Sequence, residues 1–289
     1  MIRSLISCAV AGLLGYTATR AVLSSKLRGH RKVVRTNHAG REVSLVEGPA
    51  VSAGLVAGSL LIEAPRQRAA SLLVTTVSGS LGAVDDFCES GDSKGLRGHL
   101  SALAHGRITT GGLKVIGIPV ASIAAATILR TGSRGHGPVP SNAKSGDQNW
   151  LGSTVDVVVT GGVIAGTANL FNLLDLRPGR ALKAGLLTLA FMPHQHGLTW
   201  TPGAAIAGSA AAAWPDDLGG AVMLGDTGAN ALGAALGTIL AENSTGKQRA
   251  VLLSGLVGLT LLSEKVSFTS IIESTPGLRE IDAFGREVV

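Results

Sequence analysis

Residues 111–129 read GGLKVIGIPVASIAAATIL, nineteen positions with one charge, Lys114, near the start. Its apolar residues do not alternate with period two, as a barrel strand requires. Only helices and closed barrels satisfy every backbone N–H and C=O in hydrocarbon, so this stretch reads as a membrane-spanning helix. Its glycines and alanines suit close packing of helices in lipid.

Working outward, comparable apolar runs recur at about residues 4–23, 49–64, 69–84, 153–172, 181–193, 198–214, 228–242 and 250–264. A span takes about 20 residues, so the shorter runs must borrow flanking residues or bend at Gly and Pro. Only 15% of the chain is charged, where a soluble domain carries about a quarter, and mean hydropathy is +0.36. An apolar soluble core is the weaker alternative. The expectation is an all-α, polytopic transmembrane helical bundle of about nine spans, with residues 1–289 forming one integral membrane domain. The first run, after Arg3, looks like a signal peptide, but the basic stretch from Lys26 to Arg41 resists translocation, so it reads as a retained span.

Orientation follows the cations. Arg28, Arg31, Lys32, Arg35 and Arg41 place the segment after the first run in the cytoplasm and the N-terminus outside. Alternation then puts residues 85–110, 173–183, 215–227 and the C-terminal 265–289 in the cytoplasm, with Lys94, Arg97, Arg107, Lys183 and Lys265 among their cations. Arg130, Arg134 and Lys144 fall on the other side, against the bias. A net charge of +6 raises nucleic acid as a partner, but no aromatic-plus-basic module accompanies it. The cations instead suit cytoplasmic loops and membrane lipid headgroups. Cys8 and Cys88 make neither a disulfide framework nor a metal pattern.

The same alternation brings distant acids to one face. Asp85 and Asp86 end the third run, Asp175 follows the fifth, and Asp226 precedes the eighth. Singly, each is an ordinary solvated helix end. Together they offer hard oxygen ligands for Mg²⁺ shared with phosphate oxygens. Gly225-Asp226-Thr227-Gly228-Ala229-Asn230 opens a helix whose N–H groups face an anion, unless it is a plain turn and cap. Asn169, Asn172 and Asp175 recur every three residues along one helix flank. The two asparagines serve either substrate or interhelical hydrogen bonding. Arg177, Arg180 and Lys183 follow, suited to phosphate or to fixing orientation. His99 and His105 read as solvated loop residues; His194 and His196 fall on the far side.

In order along the chain, Val84-Asp85-Asp86, Lys114 after Thr109-Thr110-Gly111, Asn169-x-x-Asn172-x-x-Asp175 and Gly225-Asp226-x-Gly228 resemble the motifs of one family. It is the polyprenyl-phosphate N-acetylhexosamine-1-phosphate transferase superfamily, which includes phospho-MurNAc-pentapeptide translocase and GlcNAc-1-phosphate transferases. The resemblance implies a Mg²⁺-dependent transfer of a sugar 1-phosphate from a UDP-sugar type of nucleotide sugar to polyprenyl phosphate, for cell-envelope synthesis at the plasma membrane. It implies catalytic roles for Asp85, Asp86 and Asp226, with Asp226 and Asp86 as metal ligands. It also implies substrate contacts from Lys114, Asn169, Asn172 and Asp175, with Arg177 and Arg180 beside them. A homodimer is left open.

The sequence departs from that pattern at Asp175-Leu176-Arg177-Pro178-Gly179, where proline stands in place of the family's second aspartate. The family's histidine-rich loop is also missing. The rival reading is a catalytically degenerate relative that binds lipid phosphate or scaffolds partners. A transporter with membrane carboxylates is a further rival, but the acids sit at run ends and no inverted repeat is visible.

Overall fold

In a computed structural model of the chain, residues 2–36, 40, 42–88, 105–106, 109–130, 148–192 and 200–286 are described, without the side chains of 148–151. Arg41, Lys94, Arg97, His99, Arg107, Arg134, Lys144, His194 and His196, all weighed above, lie outside the described residues.

Each apolar run corresponds to a helix. In chain order they are α1 (Ile2–Leu23), α2 (Glu47–Ser59), α3 (Pro65–Cys88), α4 (Thr110–Arg130), α5 (Gln148–Leu174), α6 (Arg180–Phe191), α7 (Thr201–Leu218), α8 (Gly225–Glu242) and α9 (Gly246–Ser263). Two short helices follow, α10 (Phe268–Ser274) and α11 (Leu278–Ala283). The fold is all-α, apart from a small hairpin within the basic segment. There β1 (Val34–Thr36) pairs antiparallel with β2 (Glu42–Ser44), with Arg35 opposite Val43. Three-residue strands are too short to register as a period-two pattern, so this hairpin was not foreseen.

Three stretches, Ile2–Leu23, Thr110–Arg130 and Gly152–Leu174, are long and apolar enough to cross a membrane. A fourth arises if α9 and α10, bent by 97° at their junction, form one broken span. The expected nine full spans are not shown. α2 has 13 residues and α6 has 12. At 1.5 Å per residue each reaches about 20 Å, short of a hydrocarbon core of roughly 30 Å.

Helix α8 is the axis of the packing. Leu232 and Leu236 join Val51, Leu55, Leu182 and Ile206 in one core cluster, while Ala234 and Ala241 join Val74, Ile118, Val163 and Ile164 in another. An axial helix buried on all sides must be built from small residues, and α8 supplies Gly, Ala and Thr along most of its length. Beside it α1, α2 and α7 pack closely. A Cβ on Gly208 of α7 would collide with the Gly12 carbonyl of α1.

The end of the bundle formed by the last turns of α4 and α8 and the first of α9 is tied by charge. Arg130 reaches Asp156 at 3.2 Å, and Arg249 pairs with the same carboxylate. Arg249 also donates to the Ser244 carbonyl at 2.5 Å. Arg130, an exception to the charge bias in the sequence, is therefore a structural cation.

Candidate functional site

The site begins with the approach of α3 to the start of α8. Gly82 makes it possible, because a Cβ there would overlap the Asp226 carbonyl. One turn on, Asp86 meets the first N–H groups of α8. Its Oδ1 accepts from Asp226 N at 3.0 Å, and its Oδ2 from Thr227 N at 2.8 Å and Thr227 Oγ1 at 2.6 Å. Gly225, at φ 59°, adopts the left-handed turn that aims these groups outward. The residue preceding α8, Leu224, offers no side-chain cap. A carboxylate from another helix thus satisfies N–H donors that every helix start leaves open, where the helix dipole favours negative charge. Arg35 of the hairpin donates to the Asp86 carbonyl at 3.0 Å.

Lys114 arrives from α4, whose first turn is fixed by Gly112 N donating to Thr109 Oγ1 at 2.9 Å. Its ammonium bridges two acids, Asp85 Oδ2 at 2.8 Å and Asp226 Oδ2 in a closer contact. The side chains of Lys114, Asp85 and Asp226 keep 17%, 11% and 24% of their exposure. Three carboxylates and one ammonium leave a partly open, negatively charged cluster.

Further acids lie nearby, two of them with oxygens left unpartnered. Asp175, just past α5, accepts the backbone N–H of Gly225, while its Oδ2 is shut from solvent with no hydrogen-bond partner. Burial first, and the charge of Asp217 second, push its carboxyl well above the ordinary carboxylate range. Glu47 at the start of α2 is fully buried, with neither carboxylate oxygen partnered. Asp217, buried at the end of α7, accepts from Gly179 N. Asn230, one turn into α8 from Asp226, leaves its Nδ2 unpaired. Glu47 and Asp217 were missed in the sequence, although the rule that selected Asp226, an acid beside an apolar run, applies to both.

The remaining expected substrate residues go elsewhere. Asn172 is half-buried one turn before Asp175. Asn169 is exposed and donates to Thr260 of α9 at 3.0 Å, the interhelical alternative. Arg177 pairs with Glu273 of α10 at 3.0 Å on the surface. Arg180 is buried and forked onto Asp282 of α11, Nε to Oδ1 at 2.7 Å and Nη2 to Oδ2 at 3.1 Å, with Nη1 donating to Thr269 at 2.9 Å. Its guanidinium fork fits a carboxylate, and α11 supplies one. Arg180 and Arg177, expected beside a substrate phosphate, are held by α10 and α11 in this arrangement.

Asp86, expected as a metal ligand, has both oxygens engaged by α8. Among the described residues no group of three His, Cys, Asp or Glu side chains is arranged to hold a metal ion. What the donor set does provide is Asp85 and Asp226, two hard carboxylates either side of a cation. Mg²⁺ habitually takes one or two carboxylates and completes its shell with substrate phosphates and water. The residues fit an ion that arrives with a diphosphate, and do not fit a three-aspartate cage.

These observations define a class: an all-α bundle with apolar helices long enough to cross a membrane, carrying an aspartate–lysine cluster at the open start of its axial helix. Compared with known proteins, the chain matches no protein-family model and no curated protein.

Proposed function

We propose that the protein transfers a sugar 1-phosphate from a nucleotide sugar to polyprenyl phosphate at the cytoplasmic membrane face, with nine spans, the N-terminus outside and the C-terminus cytoplasmic. The observation that carries this reading is the bridge of Lys114 between Asp85 and Asp226, set at a helix start that Asp86 holds in place. A diphosphate needs cations and N–H donors; an acceptor phosphate needs a carboxylate to orient it or take its proton. In this proposal Lys114 turns from its aspartates to the donor diphosphate, Asp85 serves the acceptor, and Asp226 faces the phosphorus that is transferred. Asp226 and Asp85 would hold a Mg²⁺ ion brought with the diphosphate, and the ion would supply charge neutralisation. Asp86 keeps the start of α8 rigid. Asn172 and Asp175 line the approach to the donor.

The test is direct. Purified protein in liposomes with polyprenyl phosphate, Mg²⁺ and a panel of nucleotide sugars should release a nucleoside monophosphate and form a lipid-linked sugar. For topology, cysteines introduced near Arg31 and near Gly135 should label from opposite sides, and labelling near Arg31 from outside intact cells would overturn the orientation.

A second reading is a relative that binds lipid phosphate or a partner without transfer. The engagement of Arg177, Arg180 and Asn169 in joints between helices favours it, as does Pro178. Binding of polyprenyl phosphate with no product from any donor would select this reading.

A further inference from the structure

An open pocket of about 410 Å³ lies between α6, α7 and α11, outside the carboxylate cluster. Its walls are Leu186 and Leu187 of α6, Trp214 of α7, and Ile281 and Phe284 at the C-terminal helix. We infer that this pocket holds an acyl chain of a bilayer phospholipid, and that the Asp282 latch exists to build its outer wall.

Depth is the first argument. Leu186 and Leu187 lie in the second turn of α6, and Trp214 lies about one turn before the end of α7. A helical turn rises 5.4 Å, so the pocket sits within a turn or two of the helix ends. In a membrane-spanning bundle that is the boundary of headgroups and chains, where tryptophan is enriched. The second argument is the shape of α11. Leu278, Ile281 and Phe284 recur every three residues and are exposed, Phe284 to 72%, while Asp282 turns inward and is buried. A helix with an uncovered apolar face and a polar opposite face lies in that boundary. The 97° bend between α9 and α10 turns the chain away from the line of α9 before α11 begins.

Charge decides which part of the lipid is held. Lys183 lines the pocket, but its Nζ donates to the Asp282 carbonyl at 2.6 Å. Arg180 and Arg286 are committed to the Asp282 carboxylate at 2.7 and 2.8 Å. Glu280 adds an acid at the rim, paired with Arg279. The cations are turned onto Asp282, and the remaining walls are leucine, isoleucine, phenylalanine and tryptophan, so a hydrocarbon chain is what the pocket accommodates.

Full-length protein in phosphatidylcholine liposomes tests this by quenching of tryptophan emission, with the Trp214 contribution taken as the part lost in Trp214→Phe. Chains brominated near their carboxyl end should quench that part by roughly half, and more than chains brominated near the methyl end. Ile281→Glu, which puts a carboxylate into the pocket and leaves Asp282 untouched, should remove most of the quenching at an unchanged thermal midpoint. Quenching by aqueous acrylamide but not by bromolipid would show a water-filled pocket and overturn the inference. Quenching by neither would show a pocket closed by protein, such as a second copy, and would overturn it equally. Bromolipid quenching that disappears when polyprenyl phosphate is added would assign the pocket to that lipid instead.

Discussion

Two of the ionic clusters that join helix ends in this bundle, those around Asp282 and Asp226, are completed to different degrees. Around Asp282 both carboxylate oxygens and the backbone carbonyl are met, by a forked Arg180, by Arg286 on the second oxygen and by Lys183, with Thr269 behind the guanidinium and Arg286 Nε left unpartnered. Around Asp226 they are not, since one ammonium serves two carboxylates and the neighbouring Asp175 and Glu47 keep oxygens with no partner. Buried polar groups are ordinarily satisfied, and unmet ones are costly to keep. A closed cluster is what a joint requires; an unclosed one, still partly open to solvent, is what a binding site requires. This contrast, more than any single residue, marks the Asp226 cluster as the candidate site.

The largest effect is expected where the closed cluster is broken. Arg180→Ala leaves Asp282 buried without its bidentate partner, and removing one member of such a pair costs about 3–5 kcal/mol. Arg286 remains, so the lower end is expected, read as a fall in thermal midpoint. Asp282 adds a pH dependence. Burial opposes its charge, but hydrogen bonds from Arg180 and Arg286 prevail and hold its carboxyl below the ordinary range. A lowered carboxyl contributes stability that is full above its unfolded pKa and is lost as pH falls through the folded one. Acid should therefore destabilise the parent more than Asp282→Asn. Equal acid sensitivity would mean that Asp282 is not the latch.

Next comes the open cluster. Asp226→Asn keeps shape and removes charge, and should lower transfer by about 10²–10³-fold with the fold intact, the usual cost of removing one electrostatic contact to a transition state. Normal turnover in this variant would break the comparison, because Asp226 would then be as structural as Asp282. Lys114→Met sharpens it further. Without the ammonium, Asp85 and Asp226 face each other, and the cost, softened by partial exposure, is about 1–3 kcal/mol. Millimolar Mg²⁺ should restore much of that midpoint loss while barely moving the parent. If Mg²⁺ moves neither protein, the two carboxylates do not form a cation site.

The sequence made the helices legible because nine apolar runs carry a strong signal; alternation put Asp85, Asp86, Asp175 and Asp226 on one face, and Lys114 joined them only through the family resemblance. It did not show what each side chain does on arrival. Asp86 looks like a ligand until α8 is seen to need a cap, and Leu224 gives no hint that the cap comes from α3. Arg180 looks like a phosphate ligand until α11, six residues long and far along the chain, returns to meet it. Such pairings depend on tertiary contacts that no local pattern encodes. Three of the helices, or four with the bent pair, are long and apolar enough to cross a membrane, and the expected nine crossings are not shown, because apolar runs do not record helix length. α2 and α6 are apolar but short.

Asp175 offers the smallest and most discriminating measurement. Its Oδ2 is unpartnered, and burial together with Asp217 raises its carboxyl well above the ordinary range. A raised carboxyl contributes stability that is full below its unfolded pKa and is lost as pH rises through the folded pKa. At neutral and alkaline pH the parent therefore carries the cost of keeping this acid in place, and Asp175→Asn should be more stable by about 0.5–2 kcal/mol. The gap should close in acid, where the carboxyl is neutral in both folded and unfolded chains. If Asp175 belongs to the open cluster, the same substitution should weaken donor binding, so that stability and activity move in opposite directions. If instead Asp175 is a joint held by its bond to Gly225, the variant should lose stability at every pH. Thermal midpoints at acid, neutral and alkaline pH, taken with the KM for the donor, decide between the two.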